Sequence, residues 1–542
     1  MLQKSSQSIL LVLVSVIALF ASHSDSFPLS THKRWIIDEA TGHRVKLTCV
    51  NWATHLQPML AEGLDKQPLE HIVKHVVDQK FTCVRLTWAT HMFTRYANQS
   101  VSYTLDSLDL QEVKENINKN NPFILKMNHV QAYEAVVDEL GKQGVMVLID
   151  NHVSHPNWCC NDDDDNGFFG DRHFNAKEWL QGLHLIAKHF HGKSEVVAID
   201  LRNELHGPRQ NERDWYNYVH QGAKTIHKAN PDVLVLISGL NYDTDFTFLK
   251  KKPLKLNLNN KLVYESHLYS WSGVGTVKMG EVWTAQPVNR ICAQTLQGVE
   301  ERSGFLNEGN HQAPLFFTEF GLDVTAGGDD IGNRFLTCFM SYIVGRDLDW
   351  GLWALQGSYY LREGKLAVEE SFGLLDANFQ QIKYQELPQK FQLLQKKIQD
   401  PTSKLPKSYI MFHPQSGQCV QAKNSGLEHG NCEQSSLWDH AGDGAPIMLK
   451  GKSTCLKAVG DGLAPTLSSD CKSDQPSSWK FVSMSHLHLA TLDQQGQLLC
   501  LDKESSNSTK IVTNKCICIE DDSECLDNPQ SQWFTFATTN LA

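Results

Sequence analysis

The sequence predicts an α/β fold, a (β/α)8 TIM barrel, followed by an all-β region. Three observations carry that expectation. Between residues 46 and 355, short apolar β-type runs alternate with longer amphipathic segments; strands apolar on both faces belong to a parallel sheet covered by helices. A polar stretch with two prolines, Asp400-Pro401-Thr402-Ser403-Lys404-Leu405-Pro406, then breaks the pattern and reads as a linker. Beyond it the helical period disappears, and one pattern (Cys, then Cys, then Ser-x-Trp) recurs in three copies, the signature of an internal repeat.

A chain of 542 residues is too long for a single core, so at least two folded domains are expected. Its first residues read as an export signal over residues 1–24: Lys4 supplies the positive start, 9–20 is apolar or small, and small residues follow. The rival reading is a membrane anchor, but about twelve apolar residues fall short of the roughly 20 that span a bilayer. No later stretch is long and apolar enough, so the mature chain is expected to be soluble.

The candidate strands are 47–52, 83–87, 145–150, 196–201, 233–238, 262–267, 315–320 and 351–355. Between them, helical periodicity marks 69–80, 131–143, 177–190, 215–229 and 333–344. Eight strands alternating with helices in this order suggest a barrel with insertions. A doubly wound open sheet is the alternative, but no Gly-rich phosphate loop follows the first strand.

The formal net charge of −11 disfavours nucleic acid as a partner, because a phosphate backbone calls for a basic face. The 14 cysteines, eight of them from Cys419 onward, fit an oxidising, extracellular compartment. Two glycosylation sequons, Asn98-Gln99-Ser100 and Asn507-Ser508-Thr509, would be usable there.

Hydrolysis of a glycosidic bond needs two carboxyl groups flanking it, and a barrel presents its chemistry where strands end. Two glutamates stand out: Glu204 in Ile199-Asp200-Leu201-Arg202-Asn203-Glu204, closing the fourth strand, and Glu319 in Phe316-Phe317-Thr318-Glu319-Phe320-Gly321, closing the seventh. This pair resembles glycoside hydrolase family 5 and its clan. The likeness covers residues 35–395 and extends to Arg85 ending strand two, His152 after strand three, Asn203 beside Glu204, His267 and Tyr269 after strand six, and Trp353 in strand eight. One departure is Leu205, where the family often has proline.

The resemblance implies Glu204 as acid/base and Glu319 as nucleophile of a secreted, retaining, cellulase-like endo-β-glycanase working by double displacement. Alternatives are a transglycosidase on cell-wall glycan or a catalytically weak carbohydrate-binding protein. Arg85 would hold a carboxylate ionised, Asn203 would bind the sugar 2-hydroxyl, Tyr269 would orient Glu319, and Trp353 would stack on the sugar. His152 and His267 would fix carboxylate or sugar. No metal or other cofactor is called for, the expected partner is a polysaccharide or oligosaccharide, and the chain is expected to be a monomer.

Two further segments invite expectations. The loop 158–169, Trp-Cys-Cys-Asn-Asp-Asp-Asp-Asp-Asn-Gly-Phe-Phe, is either a solvated acidic tip or a Ca²⁺ site, and its Trp158, Phe168 and Phe169 are candidates to line a sugar cleft. The three repeats resemble the ricin B-type β-trefoil, with Ser in place of the usual Gln of Gln-x-Trp. That resemblance implies Trp438, Trp479 and Trp533 in the trefoil core. It also implies the disulfides Cys419–Cys432 and Cys455–Cys471, and Cys500 paired with Cys516 or Cys518. Asp502 is the one candidate lectin contact. The expected domains are a barrel over 25–399, a linker over 400–407 and a trefoil over 408–542.

Overall fold

In the structure, a computed structural model, residues 28–541 are described, apart from 273–278, 310–311, 326–329, 424–425, 473–475, 506–507 and 521–523. The expected signal segment and Asn507 lie outside the described residues; Asn98 is exposed.

Eight strands close a parallel barrel. They are β1 (Thr48–Trp52), β2 (Cys83–Ala89), β3 (Met146–Val153), β4 (Val196–Asp200), β5 (Leu234–Ile237), β6 (Leu262–Leu268), β7 (Leu315–Phe320) and β8 (Asp349–Leu352). Each pairs with its sequence neighbours, and β8 closes on β1, Gly351 opposite Cys49. Side chains alternate in and out along a strand, and here the inward set changes character with height. At the N-terminal end it is apolar: Cys49, Cys83, Leu148, Ala198, Leu234, Val263 and Phe316 pack together. An antiparallel hairpin, Leu29–His32 with Trp35–Asp38, plugs that end with Leu29 and Ile36. Two residues further along six of these strands the inward set is polar (Asn51, Arg85, Asp150, Asp200, Glu265 and Thr318, all buried), while β5 keeps the apolar Leu236.

Outer helices follow the strands. In α1 (Leu69–Asp78), Leu69, Ile72, Val73 and Val76 form the single buried stripe that a 3.6-residue period produces. In α2 (His129–Lys142), Asn128 and Gln131 form a reciprocal capping box, which satisfies two otherwise orphaned N–H groups. Asn175 caps α3 (Ala176–His189) and Asn211 caps α4 (Glu212–Ala229). The last two are α5 (Val288–Arg302) and α6 (Asp330–Arg346). The sequence did not predict α5, whose buried face is broken by the polar Asn289. After β5 a single 3-10 turn, Thr247–Lys250, takes the place of a helix.

Three strand expectations need correction. Arg85 is the third residue of β2, which runs on to Ala89, and does not end it. His152 lies inside β3 rather than after it. β8 is displaced toward the N-terminus relative to 351–355, so Trp353 follows it. In all three cases apolar composition locates a buried strand, but hydrogen-bonded register with both neighbours sets its ends.

The C-terminal region is all-β, an eight-stranded and a four-stranded sheet. Trp438 and Trp479 join its apolar core with Met411, Leu456, Leu489 and Phe534. Trp533 does not; it is buried in the cluster continuous with the barrel. The segment around Asp400 is docked rather than free: Asp400 accepts from Lys397 and the Arg44 N–H, and its own N–H donates to Asn540. All 14 cysteines are paired, as Cys49–Cys83, Cys159–Cys160, Cys292–Cys338, Cys419–Cys432, Cys455–Cys471, Cys500–Cys516 and Cys518–Cys525.

Candidate active site

The polar layer inside the barrel opens upward onto Glu204, four residues beyond Asp200 at the end of β4, and Glu319 on β7. The register of β6 against β7 shifts between Ser266 and His267. Such an irregularity re-aims side chains, and consecutive Thr318 and Glu319 both reach groups on the inner side. One oxygen of each glutamate and one ring nitrogen of His267 all lie within 4.8 Å of one another. Both carboxyls therefore stand at the same end of the barrel.

Their surroundings differ. Arg85 Nη1 donates to Glu319 Oε1 at 2.6 Å, and the Tyr269 hydroxyl donates to Oε2 at 3.1 Å. Among the described residues no Lys or Arg forms an ion pair with Glu204; its Oε1 faces His267 Nδ1 at 2.9 Å. Burial, reinforced by the charge of Glu319, pushes the Glu204 carboxyl well above the usual carboxylate range. Burial also pushes Glu319 up, to about 7, against the pull of Arg85. Of the two, Glu204 is the one that keeps a proton, because donors and a cation already serve Glu319.

The other expected residues converge here. Asn203 Oδ1 accepts from Arg85 Nη2 at 3.0 Å, and its amide nitrogen lies 3.7 Å from each sulfur of Cys159–Cys160. His152 pairs with Asp150 at 2.6 Å and lies 5.4 Å from the Trp353 ring, nearly parallel to it. Burial lowers the pKa of His152 and of His267, so both rings are neutral.

Sequence reading missed the groups underneath. Arg85 also contacts Asn51, Asp150 and Asp200, so one guanidinium organises several buried carboxyls. A signal was present: acidic residues within apolar strands, two positions before His152 and His267, betray a polar inner face.

The loop 158–169 corrects another expectation. Phe168 and Phe169 do not line the cleft; they are buried, with Phe169 packed on Phe174, Trp179 and Tyr218. Trp158 packs edge-on to Tyr359 beneath Arg362. Of the aspartates, Asp162 accepts from the Tyr242 hydroxyl at 2.5 Å and Asp164 pairs with His206 at 3.0 Å, while Asp163 and Asp165 are exposed. Far from this site, Asp502 is 5% exposed and accepts from Asn514 and Gln532 at 3.0 Å each.

Residues 39–358 match the model of the cellulases, glycosyl hydrolase family 5. The chain is 42% identical to a protein of Chamaecyparis obtusa described as a glycosyl hydrolase 5 family protein, over 97% of this chain and 95% of that one. Two solved structures share the barrel fold. The hyperthermophilic endocellulase of the archaeon Pyrococcus horikoshii matches with a TM-score of 0.53 at 18% identity, over 68% of this chain and 100% of that one. The catalytic domain of the major endoglucanase of Xanthomonas campestris pv. campestris matches with a TM-score of 0.55 at 17% identity, over 68% and 99%.

Proposed function

The chain belongs to glycosyl hydrolase family 5, and from that premise we propose that it is a retaining endo-β-glycanase in which Glu204 is the acid/base and Glu319 the nucleophile. The observation that carries this reading is the pairing of two carboxyls, with oxygens within 4.8 Å of each other, in opposite electrostatic settings. A retaining enzyme wants its carboxyl groups about 5–5.5 Å apart, whereas an inverting one leaves room for a water.

In the first step a lone pair of Glu319 forms the bond to the anomeric carbon as its bond to the leaving oxygen breaks, and Glu204 gives that oxygen its proton. In the second, water attacks the same carbon, loses its proton to Glu204 and releases Glu319. Arg85 and Tyr269 hold the nucleophile, Asn203 meets the 2-hydroxyl, and Trp353 with His152 forms the floor beneath the sugar ring.

The C-terminal region is, in our reading, a ricin B-type β-trefoil over 408–542, joined to the barrel domain (25–399) by 400–407. Its support is one disulfide within each repeat, spanning 13, 16 and 16 positions. The burial of Asp502, with Oδ2 taken by Asn514 and Gln532, favours a bracing role over lectin activity. Export of the chain is supported by the pairing of every cysteine, which requires an oxidising compartment.

A panel of β-glucans and β-mannans, assayed for new reducing ends and for transfer products, with the anomer followed by NMR, tests the reading. First-formed product of inverted configuration, or no turnover on any β-glycan, would overturn it.

A further inference from the structure

We propose that Thr318 and Glu265 fix the tautomer of His267, so that its Nδ1 accepts the hydrogen bond shared with Glu204 and holds that glutamate protonated. The proposal rests on the two-glutamate reading and extends it to two residues that touch neither sugar nor nucleophile.

It follows from counting protons along a chain of contacts. The Thr318 hydroxyl lies 2.7 Å from Glu265 Oε2, and His267 Nε2 lies 3.0 Å from the same hydroxyl oxygen. A threonine has one O–H to give. Burial and the charge of Asp200 push the Glu265 carboxyl well above the usual carboxylate range; on the reading proposed, its proton sits on Oε1, Oε2 is the oxygen that faces Arg85 Nη2 at 3.7 Å, and Thr318 donates to Oε2. Its hydroxyl oxygen is then an acceptor, which obliges His267 Nε2 to carry the hydrogen. A neutral imidazole with its hydrogen on Nε2 has only a lone pair on Nδ1. At 2.9 Å from that lone pair, a Glu204 carboxylate would meet repulsion, whereas a Glu204 carboxylic acid donates to it.

Other charged groups surround His267. Asp243 Oδ2, from the loop after β5, lies 3.7 Å from His267 Nε2, beyond hydrogen-bond range, and burial pushes that carboxyl well above the usual range, so it does not compete with Thr318. Glu319 Oε2 lies 3.7 Å from Nδ1 and pulls the other way, but beyond hydrogen-bond range and with Arg85 compensating its charge. Arg85, Asp150 and His152 from the neighbouring strands act on the pair only through their fields. Tyr242 and Tyr269 face the glutamates as neutral phenols, their ionisation pushed up by burial.

The arrangement serves both steps. It keeps the acid loaded before cleavage. Once the proton has gone to the leaving oxygen, the ionised Glu204 beside an acceptor nitrogen becomes a stronger base toward the incoming water. Thr318 and Glu265 are thus positioning residues acting through His267.

NMR of the full chain with ¹⁵N-labelled histidine, the His267 signals identified by their loss in His267→Asn, should show the Nε2–H tautomer. Thr318→Val should release the constraint and let Nδ1–H donate to an ionised Glu204. The alkaline limb of kcat/KM should then move down by about one to two pH units, the scale of one charge-assisted hydrogen bond, and Thr318→Ser should restore it. An Nδ1–H tautomer in the wild type overturns the proposal, as does an unmoved alkaline limb in a folded Thr318→Val chain. If Thr318→Val does not fold, the wild-type spectrum alone decides. Inactivity of the wild type would instead sink the two-glutamate reading and leave the tautomer measurement to judge this one.

Discussion

Arg85 and Glu319 meet across the barrel from β2 and β7 with 2.6 Å between Nη1 and Oε1. The same guanidinium lies 2.8 Å from Asp200 and 3.0 Å from Asp150, so it offsets several buried negative charges at once. A planar fork suits this work and an ammonium does not.

Arg85→Lys is expected to lower kcat/KM by on the order of 100-fold, the penalty of a reacting group misplaced by about 1 Å. The direction of the pH effect follows from the pull that Arg85 exerts on Glu319. With that pull weakened, Glu319 protonates more easily, and the acidic limb of the kcat/KM profile moves to higher pH. An acidic limb unchanged in Arg85→Lys would show that another group keeps Glu319 ionised.

Glu204 and Glu319 should separate by their dependence on the leaving group. Glu204→Ala is expected to slow cleavage of an unactivated oligosaccharide by about 10²–10⁴-fold, the usual worth of a general acid. An aryl glycoside with an acidic phenol needs little protonation and should be largely spared in the first step. Glu319→Gln should abolish turnover of both. Rates measured on the two substrates side by side check this; equal losses in Glu204→Ala would remove Glu204 from the acid role.

These residues were legible in the sequence because they are polar residues at the ends of apolar runs, in a fixed order. The barrel strands were legible for the same reason: Leu315–Phe320 matches its expected limits. What stayed hidden depends on three-dimensional register. Thr318 reads as an ordinary strand residue, and only the shift between β6 and β7 brings it and Glu319 to the same face of the site. Glu265 is unremarkable until alternation places it inward beside Arg85. The helix α5 lacked a continuous apolar stripe because Asn289, one of its buried positions, is reserved for contacts with the C-terminal region. The position of their loop points Phe168 and Phe169 to the cleft, but the helices α3 and α4 beneath supply a better apolar site for Phe169, against Trp179 and Tyr218.

Glu62 offers a test of buried charge away from the chemistry. It is 1% exposed, its Oε2 accepts from the Tyr360 N–H at 2.8 Å, and burial raises its pKa well above the ordinary value. For a carboxyl raised on folding, the stability it contributes is fully present below the unfolded-state pKa, about 4.3 for glutamate. That stability is lost as pH rises through the folded-state value. Glu62→Gln cannot titrate, so it should melt close to the wild type at pH 4 and increasingly above it as pH rises to 8. A melting-temperature difference that stays constant across this range would mean that Glu62 does not change protonation in the folded chain.

Asn289 joins the barrel to the C-terminal region through three hydrogen bonds. Its Oδ1 accepts from Trp533 Nε1 at 3.1 Å and from Ser485 Oγ at 2.9 Å, and its Nδ2 donates to the Cys518 carbonyl at 2.7 Å. Trp533 is fully buried in apolar surroundings continuous with the barrel, so its indole N–H has no solvent to turn to. Removing the partner of a buried donor costs about 1–3 kcal/mol, and Asn289→Ala strands more than one group. The wild type is expected to unfold in one transition, because an interface sealed by such contacts couples the two regions. In Asn289→Ala the C-terminal region should loosen first, splitting the calorimetric transition into two. The seat of the loss can be checked by Asn289→Asp, which keeps an acceptor for Trp533 and Ser485 but forfeits the bond to Cys518 and buries a charge. If Asn289→Ala still melts in a single transition at the wild-type temperature, the coupling lies elsewhere, and the docked segment at Asp400 becomes the joint to cut next.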